Sequence, residues 1–226
     1  SPWPCSPAGP PGRGSSSTSC CPSWSVMAKK FFPDMIDNIS QELTPMVATA
    51  RKIKQEHPGS HVVFIGPCAS KKLEAMRTTV RSDVDFVVTF EELWGMFDAK
   101  GINPSEVEDA GDLHDATAAG RGYAVAGGVA TSVKDVLKEL KPDMEVKIAN
   151  AEGLKECRQL LKLATLGKYD GYLLEGMACP GGCVAGAGTM QPVKKSQAAV
   201  NIYASKANHK NCHETEYVKE LDKLVD

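Results

Sequence analysis

Gly171-Tyr-Leu-Leu-Glu-Gly-Met-Ala-Cys-Pro-Gly-Gly-Cys183 passes from a short apolar run directly into a turn-forming stretch that carries two cysteines. His61-Val-Val-Phe-Ile-Gly-Pro-Cys68 repeats that plan with one cysteine. A short apolar run that stops at Gly-Pro, or soon after at Pro-Gly-Gly, reads as a buried strand. Asp85-Phe-Val-Val-Thr-Phe90 and Val146-Lys-Ile-Ala149 read as two more strands. Helical periodicity lies between them, at 26–37, 45–56, 91–100, about 129–140 and about 152–166. The second helix opens at Thr44-Pro45 and the third stops at Gly101. Residues 103–122 are acidic and Gly/Ala-rich and read as loop, and Tyr123-Ala-Val-Ala126 runs through Gly127-Gly128 into the fourth helix. Strand alternating with helix predicts an α/β fold, a largely parallel sheet flanked by helices. In such sheets sites form in the cleft beyond the strand carboxyl ends, where Cys68 and Cys179 fall.

A third cysteine motif, Thr18-Ser-Cys-Cys-Pro-Ser-Trp24, precedes both. One cysteine from it, with Cys68, Cys179 and Cys183, makes the four thiolates that an iron–sulfur cubane uses. Cys179 and Cys183 are spaced so that both sulfurs can face one centre. Pro180-Gly181-Gly182 and Gly186-Ala187-Gly188 let the backbone crowd a bulky inorganic core. Zinc remains a rival for these thiols, although its sites favour paired C-x2-4-C motifs. Inert or redox thiols are a second rival. Cys157 in a helical stretch reads as a core thiol, Cys5 has no partner pattern, and Cys212-His213 reads as packed or surface.

The bulk composition narrows the class. The chain has 226 residues, a net charge of −2 and 24% charged residues, with no basic stripe that would mark a nucleic-acid partner. It has no apolar run long enough to span a membrane and no secretory signal pattern, so a cytoplasmic protein with reduced cysteines is expected despite its eight cysteines. Residues 1–17 contain five Pro, three Gly and five Ser and cannot bury a core, so they read as a disordered leader or truncated remnant before a domain at 18–226.

The motifs resemble those of the catalytic (H-cluster) domain of [FeFe]-hydrogenases, in the family's order. Thr18–Trp24 resembles its Thr-Ser-Cys-Cys-Pro-x-Trp signature, Pro67–Glu74 its Pro-Cys-x-x-Lys-Lys-x-Glu, and Glu175–Pro192 its Glu-x-Met-Ala-Cys-x-x-Gly-Cys with a Gly-rich run. The resemblance implies that Cys21, Cys68, Cys179 and Cys183 hold a [4Fe–4S] cubane. It implies that Cys183 bridges to a diiron subsite carrying CO, cyanide and a dithiolate. Cys20 would then be the proton donor, Lys71 a donor to an iron-bound cyanide, and Met177 packing against the diiron unit. Ser40 aligns with a relay serine and Glu74 is a candidate buried acid. Pro67, Gly66, Gly182 and Gly186 would line the cofactor.

The implied reaction is 2H⁺ + 2e⁻ ⇌ H₂. The implied partners are a ferredoxin-like electron donor, maturation proteins and a subunit completing the N-terminal lobe. That lobe looks truncated before Thr18, where the leader holds no Asp or Glu to extend a proton path. Gly66 stands where catalytic members carry Met, a change of the sensory kind. A regulatory H₂-binding subunit, or an assembly-type protein holding a cubane alone, are the alternatives.

Overall fold

The structure is a computed structural model that describes residues 14–108, 111 and 115–215. Its elements, in order, are β1 (Ser16–Ser17), α1 (Pro22–Phe31), α2 (Pro45–Glu56), β2 (Val63–Ile65), α3 (Ser70–Ala75), β3 (Phe86–Val88), α4 (Phe90–Lys100), α5 (Ala118–Gly122), α6 (Gly128–Leu140), β4 (Lys147–Glu152), α7 (Leu154–Thr165), β5 (Tyr172–Met177) and α8 (Val193–Ser205). The fold is α/β and every strand pairing is parallel. The strands divide between two sheets, β1-β5-β4 and β2-β3, and the three cysteine motifs follow strands of both.

Local chemistry explains most boundaries. α4 opens on a capping box, in which the Glu92 amide donates to Thr89 Oγ1 (3.2 Å) and the Thr89 amide donates to Glu92 Oε2 (2.8 Å). It ends at Gly101, whose φ of 64° is the left-handed cap that glycine adopts without strain. α7 buries Cys157, Leu160, Leu161 and Ala164, spaced three and four apart on the face that meets the three-stranded sheet.

The expected helix at 26–37 instead starts at Pro22 and stops at Phe31. Pro33 has no amide to continue it, and a 3-10 turn, Pro33–Asn38, takes over. The expected loop at 103–122 contains α5, begun by Thr117, whose hydroxyl accepts from the Gly120 amide at 3.0 Å. Of the leader expected over 1–17, residues 1–13 lie outside the described residues, and with them Cys5. Ser16–Ser17 form β1 and pair with Leu173–Leu174.

β5 is the axis of the larger sheet, between β1 and β4. Trp24 of α1 is fully buried over it, and its indole N–H donates to Ser17 Oγ (3.1 Å) and to the Thr18 carbonyl (2.9 Å). The ring lies so close to β5 that a Cβ on Gly176 would fall 2.1 Å from Trp24 Cδ2. Gly176 is therefore required by the crossing of α1 over the sheet. Gly176→Ala is expected to lower stability by about 3 kcal/mol, the upper end for overpacking, seen as a lower urea midpoint of the apoprotein.

Candidate metal centre

The chain brings its cysteine loops together through backbone contacts that tolerate no side chain. The loop after β5 carries Cys179 and Cys183. A Cβ on Gly182 in that loop would meet the Ala126 amide at 2.4 Å and the Ala124 carbonyl at 2.8 Å. A Cβ on Gly186 would meet the Pro67 carbonyl at 2.3 Å, and the Gly188 amide donates to that same carbonyl at 2.9 Å. The Cys183 loop is thus pinned against the loop after β2 that holds Cys68. Cys21 is the N-cap residue of α1, and its sulfur accepts a 3.5 Å hydrogen bond from the Ala178 amide.

The sulfurs of the three motifs feel one another's charge. Burial, followed by the charges of Cys21, Cys68 and Cys179, pushes the Cys183 thiol up to about 12, with Lys71 opposing. Burial raises Cys179, and Cys68 and Cys21 add to the shift. Cys20 is pushed up to about 12 by burial, then by Glu175, Cys183 and Cys21, with Lys71 again opposing. The charges of these cysteines thus act on one another across the three loops. A cationic centre reverses this balance, because a coordinated thiol is deprotonated outright.

A tetrahedral ion bound at the ordinary zinc–sulfur length draws its sulfurs to about 3.8 Å of one another. Among the described residues no three His, Cys, Asp or Glu side chains converge tightly enough to hold one metal ion. Four thiols spread around a glycine-walled space instead fit a multi-iron cubane with one cysteine per iron. The residues that would hold it are Cys21, Cys68, Cys179 and Cys183.

The other expected site residues fall in two groups. Met177 ends β5 at 2% exposure, in the core that also contains Cys21 and against which Cys20 and Cys183 pack. Pro67, Gly182 and Gly186 make the close approaches described above, and Gly66 donates its amide to the Val88 carbonyl at 3.1 Å. Lys71 points its ammonium at the Cys20 carbonyl (3.3 Å) and at Glu74 Oε2 (2.7 Å). Glu74 accepts in turn from the Thr44 hydroxyl at 2.6 Å. The candidate buried acid is therefore the counter-ion of Lys71, with both residues buried. Ser40 Oγ accepts from the Glu42 amide at 3.3 Å, and among the described residues no hydrogen bond joins it to Glu74 or Cys20.

Sequence reading passed over Glu175, which has 1% exposure. Its Oε1 accepts from the Gly127 amide and its Oε2 from the Ala130 amide, both at 2.6 Å. Burial holds its carboxyl above the ordinary carboxylate range, against the opposing pull of those amides. The available signal was an acid inside the apolar run Tyr172–Met177. Cys157 is buried as expected, donating to the Ala151 and Met177 carbonyls at 3.5 Å each.

Fold and site together define an iron–sulfur protein of the hydrogenase type. The family model described as iron only hydrogenase large subunit, C-terminal domain, matches residues 12–187, and the chain belongs to that family. It is 28% identical over 217 residues to the periplasmic [Fe] hydrogenase large subunit of Nitratidesulfovibrio vulgaris, covering 78% of this chain and 51% of that protein. It is 24% identical over 221 residues to cytosolic iron-sulfur assembly component 3 of Bos taurus, covering 77% of this chain and 46% of that one. The chain thus spans about half the length of these two relatives. An [FeFe]-hydrogenase structure from Chlamydomonas reinhardtii shares the fold at a TM-score of 0.68 and 23% identity, over 92% of this chain and 71% of that one. No described helix is long and apolar enough to cross a membrane.

Two outcomes follow from the buried charges and thiols. Glu74→Ala leaves the Lys71 ammonium buried without its carboxylate and should cost about 3–5 kcal/mol in chemical denaturation of the apoprotein. The thiols of Cys20, Cys157 and Cys183 ionise near 12 when folded and near 9 otherwise. Above pH 9 the unfolded chain therefore sheds protons that the folded chain keeps. Apoprotein stability should be flat below about pH 9 and fall between about pH 9 and 12, which pH-dependent urea unfolding under reducing conditions would measure.

Proposed function

We propose that this chain holds a [4Fe–4S] cubane on Cys21, Cys68, Cys179 and Cys183, bridged through Cys183 to a diiron subsite, and interconverts protons, electrons and H₂. The observation that carries this reading is the fifth thiol. A cubane uses four cysteines, yet Cys20, next to Cys21, packs with Cys183 against the core that contains Cys21 and Met177, and its carbonyl accepts from the Lys71 ammonium. The cofactor, when bound, supplies the redox chemistry of H₂ formation and cleavage.

The protein's part is proton delivery and charge placement. Cys20 supplies the thiol that would pass a proton inward or take it back. Lys71 brings a positive charge to the Cys20 carbonyl, and Glu74 fixes the direction in which that ammonium points. Met177 closes the floor of the site with an apolar thioether and excludes water there.

A ferredoxin-like protein would supply electrons directly to the cubane, and maturation proteins would install the diiron unit. The remaining partner is a further protein subunit. Val63, Ile65 and Phe86 lie exposed on one face of the two-stranded β2–β3 sheet, and parallel sheets are ordinarily covered on both faces. We take that face as the subunit's seat.

A second reading, an assembly-type protein holding only the cubane, is favoured by one contact. The Lys71 ammonium donates to Glu74 and to the Cys20 carbonyl, so two of its three N–H donors are taken within the chain. The similarity to the bovine iron-sulfur assembly component points the same way.

An anaerobic infrared spectrum of the matured protein separates the two. Bands in the CO and cyanide stretching region are expected and should vanish in Cys183→Ser. A cubane-loaded sample without such bands would establish the assembly-type reading. Cys20→Ala should keep the infrared bands and lower H₂ turnover by about 10²-fold or more, the scale of a lost general acid. Unchanged turnover would remove Cys20 from proton delivery.

A further inference from the structure

Among the described residues no hydrogen bond joins the buried Glu175 carboxylate to Cys20, to Lys71 or to the four candidate ligand cysteines. It leaves the central strand β5 two residues before Met177 and four before Cys179. Both of its oxygens are taken by amides at the start of α6, from Gly127 and Ala130 at 2.6 Å each, and the Val129 amide also acts on it. Gly127 offers no side chain to cap that helix. The cap is therefore supplied from the neighbouring strand, and it fastens the start of α6 to β5.

The chain just before α6 touches the cysteine loop. The Ala126 amide donates to the Gly181 carbonyl at 3.3 Å, and the Val184 amide donates to the Ala124 carbonyl at 3.0 Å. These two bonds flank Cys183 on either side, with Gly182 in backbone contact between them. Tyr123–Ala126, which runs into α6, is held in turns rather than in a strand. Gly128 lets it double back, since a Cβ there would lie 2.1 Å from the Gly122 carbonyl. Other side chains hold the far side of the loop: Glu152 Oε2 accepts from the Gly181 amide (2.7 Å), Gln197 Nε2 donates to the Gly181 carbonyl (3.2 Å) and the Thr189 hydroxyl donates to the Val184 carbonyl (2.9 Å). On the α6 side, Glu175 is the side chain that fixes the turn against which Gly182 and Val184 lie.

We infer that Glu175 is a positioning residue for Cys183, acting through Gly127–Ala130 and the Ala124–Ala126 segment to set where the bridging thiolate lies. The inference rests on the reading of Cys183 as a cluster ligand, and its first test does not require a cluster.

Apoprotein carrying Glu175→Gln or Glu175→Ala is treated with iodoacetamide, and labelling at Cys183 and Cys68 is followed by mass spectrometry, with amide exchange recorded over 122–130. Glu175→Ala should label Cys183 about tenfold faster than wild type and speed exchange at Gly127 and Ala130, with Cys68 changed by less than about twofold. Glu175→Gln keeps one acceptor oxygen and should fall between.

After iron–sulfur reconstitution, Glu175→Ala should lose its cluster to a chelator about tenfold faster than wild type. Equal Cys183 labelling in folded wild type and variants would overturn the inference. Global unfolding of Glu175→Gln would also overturn it, because the residue would then govern the whole fold rather than one loop. A wild-type protein that never takes up a cubane would defeat the proposed function, while the labelling comparison would still decide the role of Glu175.

Discussion

Close contact at three glycines holds the centre together. Gly182 lies against Ala124–Ala126, Gly186 against the Pro67 carbonyl and Gly176 against the Trp24 ring, each at a distance that leaves no room for a Cβ. The first two bring the loop after β5 against a turn before α6 and against the loop after β2, which belongs to the other sheet. The third lets α1 lie flat on β5 and so fixes Cys21, its N-cap residue, beside Ala178. Cysteines from both sheets meet because these crossings are close, and the crossings are close because glycine is small.

Burying charge and thiols together shapes the rest of the site. Thiols surrounded by one another and by apolar side chains stay protonated, so the apoprotein holds a neutral sulfur-lined space that a cationic cluster would convert to thiolates. Lys71 and Glu74 are buried as a pair, with Thr44 satisfying the second carboxylate oxygen, which keeps an ammonium near Cys20 without leaving a bare charge in a low-dielectric interior. Glu175 is accommodated differently, by amides alone. The two carboxylates therefore do different work, one orienting a side chain and the other orienting a stretch of backbone.

Both readings of function share the cubane and differ at the surface it would present. Five thiols and the buried Met177 favour a site built for more than a cubane, while the engagement of two of the three Lys71 donors within the chain favours the cubane alone. The distinction is chemical and lies in what occupies the space next to Cys20.

The sequence by itself determined the α/β class, the parallel strands, the helices α2, α4, α6 and α7 nearly to the residue, and the four cysteines with their motifs. These are written in local terms: apolar runs, a Thr-Pro helix start, a glycine stop, and cysteines at strand ends. Only the tertiary structure decided the division into two sheets and the pairing of Ser16–Ser17, since a two-residue serine strand carries no apolar signal. It also decided that Glu74 serves Lys71 and that Glu175 caps α6. Both roles depend on partners brought near by folding, Thr44 across 30 residues and Gly127 across 48. Propensity and spacing report what a residue does to its neighbours in the chain, whereas a buried charge is assigned its role by whatever the fold places within hydrogen-bond reach.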